Sequence, residues 1–418
     1  MLTPRWRVAL FLFVAAGLNY ADRTALSSVI PPLRADLGIT DAQIGMAGML
    51  FLWCYAIASP FAGNLADRFS RSRIVVWSLV AWSLVTLGTG LIESVTALFV
   101  MRIALGIAES FYLPAAGALL GDHHSSATRG RAMGLHMLGL NLGLVLGGAS
   151  AGYLAEHHGW RWGFWILGGL GLLLAASSRA FLSDGPQASP TARPRATPSV
   201  AKEAWLYLLK VPSFHCLILS AMVAGVAAWI FLSWLPLFFS ENYGMKLAAA
   251  GLAGVALYKG PVFVGIAIGG WLSDKWTERD ARGRALIKGL SFIVSAPFLF
   301  FFMGAPSFAV IATMMVLSSI LRAIGLPSEH PIICEVVPTR YRSTAIGILN
   351  TCGSAAGGIG VLLAGIFKKD LGLNMIFGAS SFLYVLAGVM MLLAYWFSMA
   401  KDMARAEALE SSHRAETA

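Results

Sequence analysis

Charge is scarce in this chain: only 12% of its 418 residues are Asp, Glu, Lys or Arg, against 57% hydrophobic, and the mean hydropathy is +0.71. So little charge excludes a disordered chain or an ordinary soluble domain and indicates a polytopic membrane protein. Cysteine is sparse as well. The four residues Cys54, Cys216, Cys334 and Cys352 fall in apolar segments without metal-ligand spacing, which excludes a disulfide framework and a zinc site. Also missing are a phosphate-binding loop, a paired-histidine zinc motif and a nucleophile with its base, so neither an enzyme nor a bound metal or cofactor is expected. No cleavable signal peptide is expected either, because the first apolar segment is too long and carries Asp22 and Arg23.

The remaining sequence is dominated by apolar runs of membrane-crossing length, roughly 20 residues each. Twelve spans are predicted: 7–30, 41–64, 73–92, 96–120, 132–154, 160–182, 212–239, 248–273, 285–304, 307–333, 343–366 and 372–398. The fold class is therefore an all-α polytopic membrane protein. An even number of spans puts both termini on one side. Lys and Arg concentrate on that side, at Arg5, Arg7, Arg68, Arg71, Arg73, Arg129, Arg131 and Lys275 through Lys288, which predicts cytoplasmic termini and a plasma (inner) membrane location. The same loops account for the net charge of +10, so nucleic acid is not an expected partner.

The chain repeats itself. Asp36-Leu37-Gly38-Ile39 followed by Gly45 matches Asn242-Tyr243-Gly244-Met245 followed by Gly251, and Gly63-Asn64-Leu65-Ala66-Asp67-Arg68 matches Gly270-Trp271-Leu272-Ser273-Asp274-Lys275. An ungapped match from Ser94–Gly134 to Ser307–Gly347 pairs Pro114 with Pro327, Asp122 with Glu335 and Arg129 with Arg342. Two pseudo-symmetric six-helix bundles are expected, at 1–182 and 205–400. A Pro-rich cytoplasmic linker at 183–204 joins them and a charged tail follows at 401–418. Such parallel halves place a substrate site at the midplane.

Gly63 to Arg73, with its weaker copy after span 8, resembles the loop signature of the major facilitator superfamily, and the resemblance covers nearly the whole chain. Three further patterns are similar to those of the organic anion symporters, the hexuronate, aldonate and sialin-type carriers. They are Asn19-Tyr20-Ala21-Asp22-Arg23, Arg102 with Gly106, Glu109 and Pro114, and Trp234-Leu235-Pro236 before Tyr243-Gly244. Spinster-type lipid carriers share the first two, and a drug exporter or a non-transporting receptor are the remaining alternatives. The resemblance implies a monomer in the lipid bilayer that moves a small anionic substrate together with protons.

Intramembrane charges are costly and mark substrate or ion pathways. Asp22 lies roughly 23 Å along span 1 and Arg102 roughly 9 Å into the antiparallel span 4, so an Asp22–Arg102 ion pair is expected. Glu109, two turns beyond Arg102, shares its face. Asp22 and Glu109 are the candidate proton carriers, with Arg23 and Arg102 as charge partners; a static network that fixes the helices is the competing reading. In the second half Ala228 and Trp229 stand where the first has Asp22 and Arg23, while Lys259 and Arg322 supply cations. Glu329 either neutralises one of those cations or leaves both for an anion. Tyr20, Arg102, His136, Asn141, Trp229, Lys259, Arg322, Glu329 and Asn350 are the candidate substrate-binding residues. The Gly139–Gly148 stretch is expected to serve helix packing. A cytoplasmic gate is expected from Asp67, Arg71, Asp122, Arg129, Asp274, Glu335 and Arg342, with Asp122 facing Arg129 and Glu335 facing Arg342.

Overall fold

A computed structural model describes residues 3–184, 198–304 and 307–417, without the side chains of 63, 64, 66–68, 126, 198–201 and 412–417. Among the described residues the chain is helical and has no strand. In chain order the helices are α1 (Pro4–Ser28), α2 (Ile30–Leu37), α3 (Asp41–Arg68), α4 (Arg71–Thr89), α5 (Val95–Ser110), α6 (Tyr112–His123), α7 (Ser126–His157), α8 (Trp160–Phe181) and α9 (Pro198–Leu208). There follow α10 (Pro212–Tyr243), α11 (Leu247–Lys259), α12 (Val262–Thr277), α13 (Gly283–Ser295), α14 (Phe308–Ala323), α15 (Glu329–Val336), α16 (Arg342–Leu393) and α17 (Met399–Thr417).

Among the described residues ten helical stretches are long and apolar enough to cross a membrane. The last, Thr339–Ser411, holds two spans on either side of Gly372, whose backbone is left-handed at φ 73°. The first predicted span is the less apolar α1, which carries Arg5, Arg7, Asp22 and Arg23. These make up the twelve-helix, all-α membrane architecture.

Local chemistry sets several boundaries. Thr40 and Gln43 close a reciprocal capping box at the start of α3, with Gln43 N–H donating to Thr40 Oγ1 at 3.3 Å and Thr40 N–H to Gln43 Oε1 at 2.9 Å. Gly38 ends α2 at φ 61°, and its repeat partner Gly244 follows α10 at φ 62°. Both adopt the left-handed conformation that L side chains disfavour, so the sequence repeat there is a repeated turn. Spans 4, 8 and 10 are each broken near a proline that cannot donate to the helix: Pro114 after α5, Pro261 after α11 and Pro327 after α14.

The helices divide into two compact units. The first comprises residues 1–193, 231–256 and 361–369; the second comprises 194–230, 257–360 and 370–418. In the first, α1 and α7 approach closely along a glycine stripe. A Cβ on Gly139, Gly143 or Gly147 would lie 2.3 Å from Phe13 O, 2.1 Å from Gly17 O and 2.3 Å from Ala21 Cα, respectively. The glycine-rich stretch is thus a packing surface, as expected. Gly106 does the same between α5 and α3, where a Cβ would stand 2.4 Å from Phe51 O. In the second unit Gly265 and Gly269 let α12 meet α14, at 2.2 Å from Ile320 O and 2.1 Å from Ile324 O. A core of Tyr207, Phe214, Ile333, Tyr341, Met391 and Met399 lies at one end of that unit.

Candidate functional site

In the first unit, four intramembrane charges, two on α1 and two on α5, come together. Arg23 Nε donates to Glu109 Oε2 at 2.8 Å, with side chains 6% and 0% exposed. The Arg23 guanidinium is caged by aromatic rings, 4.4 Å from the centre of Tyr20, 4.7 Å from Tyr55 and 5.3 Å from Phe51. Such a cage holds a planar, weakly hydrated cation out of water. Asn19 Oδ1 accepts from Arg23 Nη2 at 3.5 Å.

The expected Asp22–Arg102 ion pair does not form. Asp22 Oδ2 accepts instead from Thr86 Oγ1 of α4 at 2.9 Å, and Arg23 is the residue that reaches across to α5. Consecutive helical side chains point about 100° apart, so only one of the two faces Glu109. Arg102 is buried and makes no ion pair among the described residues, although both Asp22 and Glu109 act on it electrostatically. One oxygen of each acid, Asp22 Oδ1 and Glu109 Oε1, is buried without a hydrogen-bond partner, as is Arg102 Nε. A buried carboxylate with one unsatisfied oxygen is a place to hold a proton.

The second unit carries a different set. Lys259, half-buried, ends α11 at the proline break of span 8, and Arg322, buried, lies near the end of α14 at the break of span 10. Both flank one ring: the Lys259 ammonium stands 5.5 Å and the Arg322 guanidinium 5.1 Å from the centre of Tyr258. Tyr258 OH meets Tyr384 OH at 3.5 Å. Glu329 neutralises neither cation. Its Oε2 accepts at 2.6 Å from Lys288 Nζ, a side chain only 1% exposed. Lys288 belonged among the topogenic loop charges by sequence; it lies instead inside the bundle, three residues into the predicted ninth span, and that position is the signal that marks it.

The other candidate residues are scattered. His136 is fully buried, its Nδ1 3.3 Å from Leu12 O and its ring against Tyr112. Asn141 donates to Met137 O in its own helix at 2.8 Å, Trp229 packs over Gly357, and Asn350 is exposed.

At the Arg-rich ends each unit has its own ion-pair set, and the pairing differs from expectation. Asp122 pairs with Arg71, not Arg129, and Glu335 pairs with Arg284, not Arg342. Arg284 also reaches Asp274 at 3.1 Å. Arg129 donates to the carbonyls of His124 and Gly121, both at 3.3 Å, and Arg342 to those of Val337 at 3.1 Å and Cys334 at 2.7 Å. Each arginine thus caps the helix end before it, where the dipole attracts cations. The correspondence of Arg71 with Arg284 extends the ungapped repeat backwards. Asp67, the remaining gate candidate, lies outside the described side chains. At the opposite end of the first unit sequence reasoning missed a square of alternating charge: Arg34 pairs with Asp41 and, at 3.3 Å, with Glu241, while Lys368 pairs with Glu241 at 2.9 Å and Asp41 at 3.3 Å. Arg34 and Asp41 are near neighbours in sequence, but Glu241 and Lys368 are distant from them and from each other, and no motif announces the set.

Comparison with known proteins places this geometry. The profile described as Major Facilitator Superfamily matches residues 12–305 and 261–415. A probable chloroplastic anion transporter 4 of Oryza sativa subsp. japonica is 26% identical over 92% of this chain and 67% of its own length. The probable galactarate/D-glucarate transporter GudP of Escherichia coli is also 26% identical, over 66% of this chain and 67% of its own. Among solved structures, a bacterial homolog of the human lysosomal transporter Spinster, inward-facing and unoccupied, superposes with a TM-score of 0.77 at 22% identity, covering 97% of this chain and 99% of that one. That likeness concerns the fold.

Proposed function

Because this chain belongs to the Major Facilitator Superfamily, we propose that it is a proton-coupled importer of a small organic anion, a sugar acid, working by alternating access. The observation that carries the reading is the buried Arg23–Glu109 pair beside Asp22 and Arg102, which makes no ion pair among the described residues. With both acids ionised, two negative charges face two positive ones. Protonating both acids leaves the two guanidinium charges uncompensated, which favours the arrival of an anion, and the charge balance returns when substrate and protons leave together. Proton and anion are thereby linked through net charge, and neither is favoured alone in a buried environment.

The names of the two anion-transporting relatives support an anionic substrate, and the galactarate/D-glucarate relative supports a sugar acid. Arg71–Asp122 and the Arg284 cluster serve as gate locks at the end proposed to be cytoplasmic, and the Arg34–Asp41–Glu241–Lys368 square serves at the other. The membrane proposed is the plasma (inner) membrane, with both termini inside.

The test is uptake of a sugar-acid panel by proteoliposomes under an imposed inward proton gradient, for the native chain and for Glu109→Gln. Gradient-driven uptake that turns into gradient-independent exchange in the variant is the expected result. Absence of uptake of every acid, with flux of a lysolipid or a cationic drug instead, overturns the reading.

A further inference from the structure

The charge ledger of the second unit is unbalanced. Glu329 is consumed by Lys288, and Lys259 and Arg322 have no carboxylate partner among the described residues. Two like charges beside one tyrosine ring repel each other, and a ring quadrupole offsets only a small part of what a counterion supplies. Both sit at breaks in their spans, the places where transporter backbones leave polar groups for a ligand. Lys259 ends its helix, so the α11 dipole favours its charge, and the interruption is fixed by Gly260-Pro261.

We propose that the transported anion is an organic dianion bearing two separate carboxylates, one taken by Lys259 and the other by Arg322. This rests on the reading of the chain as an anion transporter. The cations stand on two different helices, α11 and α14, 5.5 Å and 5.1 Å from the centre of the Tyr258 ring, an arrangement suited to a chain with an acid at each end. A monocarboxylate leaves one of the two uncompensated, and the cost of that residual charge is the basis of selection. Arg322 offers its carboxylate a planar fork, Lys259 a point charge that accepts a looser geometry.

The experiment is uptake by proteoliposomes containing the full chain, under an inward proton gradient, of D-glucarate and of D-glucuronate, which match in carbon number and differ in one carboxylate. Native protein is expected to favour glucarate by about 10- to 100-fold in kcat/KM, the range set by one charged hydrogen-bonded contact. Lys259→Gln and Arg322→Gln are each expected to lower glucarate uptake about 10-fold or more beyond any loss of glucuronate uptake, and so to remove that preference. Lys259→Arg, which keeps the charge, is expected to retain it. Equal uptake of both acids by native protein, an equal loss of both in Lys259→Gln, or inhibition by inorganic phosphate in preference to glucarate overturns the dianion proposal. Failure of the wider anion reading looks different, since then neither acid is taken up at all.

Discussion

Glu109 and Arg322 occupy the same place in the two copies of the repeat, near the end of a helix broken by Pro114 in one case and Pro327 in the other, yet they carry opposite charge. Around Glu109 the first unit gathers two acids and two arginines. Around Arg322 the second gathers a lysine and two tyrosines, while Glu329, seven residues on in the sequence, is tied to Lys288. The same backbone device therefore presents a set that can be neutral in one unit and a set that is cationic in the other. Duplication supplies the geometry, and divergence at a few buried positions supplies the chemistry.

The comparison is broken most severely at Arg23. Arg23→Gln leaves Glu109 buried without its partner and is expected to lower gradient-driven uptake by about 100-fold or more, as removal of one member of a buried pair does. Arg23→Lys keeps the charge but not the planar stacking on Tyr20 and Tyr55, and an intermediate loss, about 10-fold, is expected in the same assay.

In the second unit Glu329→Gln strands Lys288 in the interior. A loss of about 3 kcal/mol of stability is expected, read as a lowered melting temperature in detergent, with partial recovery in the Lys288→Met/Glu329→Gln double variant. Recovery separates a structural pair from a substrate contact, because restored folding with unchanged selectivity excludes Glu329 from the binding site.

Packing is a milder lever. A Cβ at Gly143 would come within 2.1 Å of Gly17 O, a backbone atom that cannot step aside. Gly143→Ala is expected to cost about 1–3 kcal/mol and to reduce transport with it, because α1 carries Asp22 and Arg23. Gly130, by contrast, has open space around it, and Gly130→Ala in the same helix is the control expected to show no such loss. At the Arg34–Asp41–Glu241–Lys368 square, Lys368→Ala removes two partly exposed pairs and is expected to change KM by no more than about 5-fold, an effect that salt should diminish.

The smallest effect lies outside the membrane. Asp280, in the turn between α12 and α13, is held down to about 2 by the Arg282 side chain, helped by the Arg282 N–H and the Tyr395 hydroxyl. Its pKa is depressed on folding, so its contribution is complete above the ordinary carboxylate range and is lost as pH falls toward about 2. The melting difference between native protein and Asp280→Asn is expected to stay constant from pH 5 to 8 and to shrink below about pH 4.

The apolar runs and the repeats made the twelve spans legible, because crossing a bilayer demands a length and a composition that few other structures need. The paired turn glycines were legible for a similar reason, since Gly38 and Gly244 both meet a local backbone demand. Proline breaks near Glu109, Lys259 and Arg322 were written in the sequence too, and with them the positions of the buried charges. Which charge meets which was not. Asp22 and Arg102 are expected at a shared depth, but the angular position of each side chain on the packed helices gives Glu109 to Arg23. Likewise Lys288 takes Glu329, Arg71 takes Asp122, and Arg34, Asp41, Glu241 and Lys368 close one square of alternating charge. Span identity is a sum over about twenty neighbouring residues and survives as a one-dimensional signal, whereas an ion pair depends on a few ångströms between helices, a distance set only when they pack.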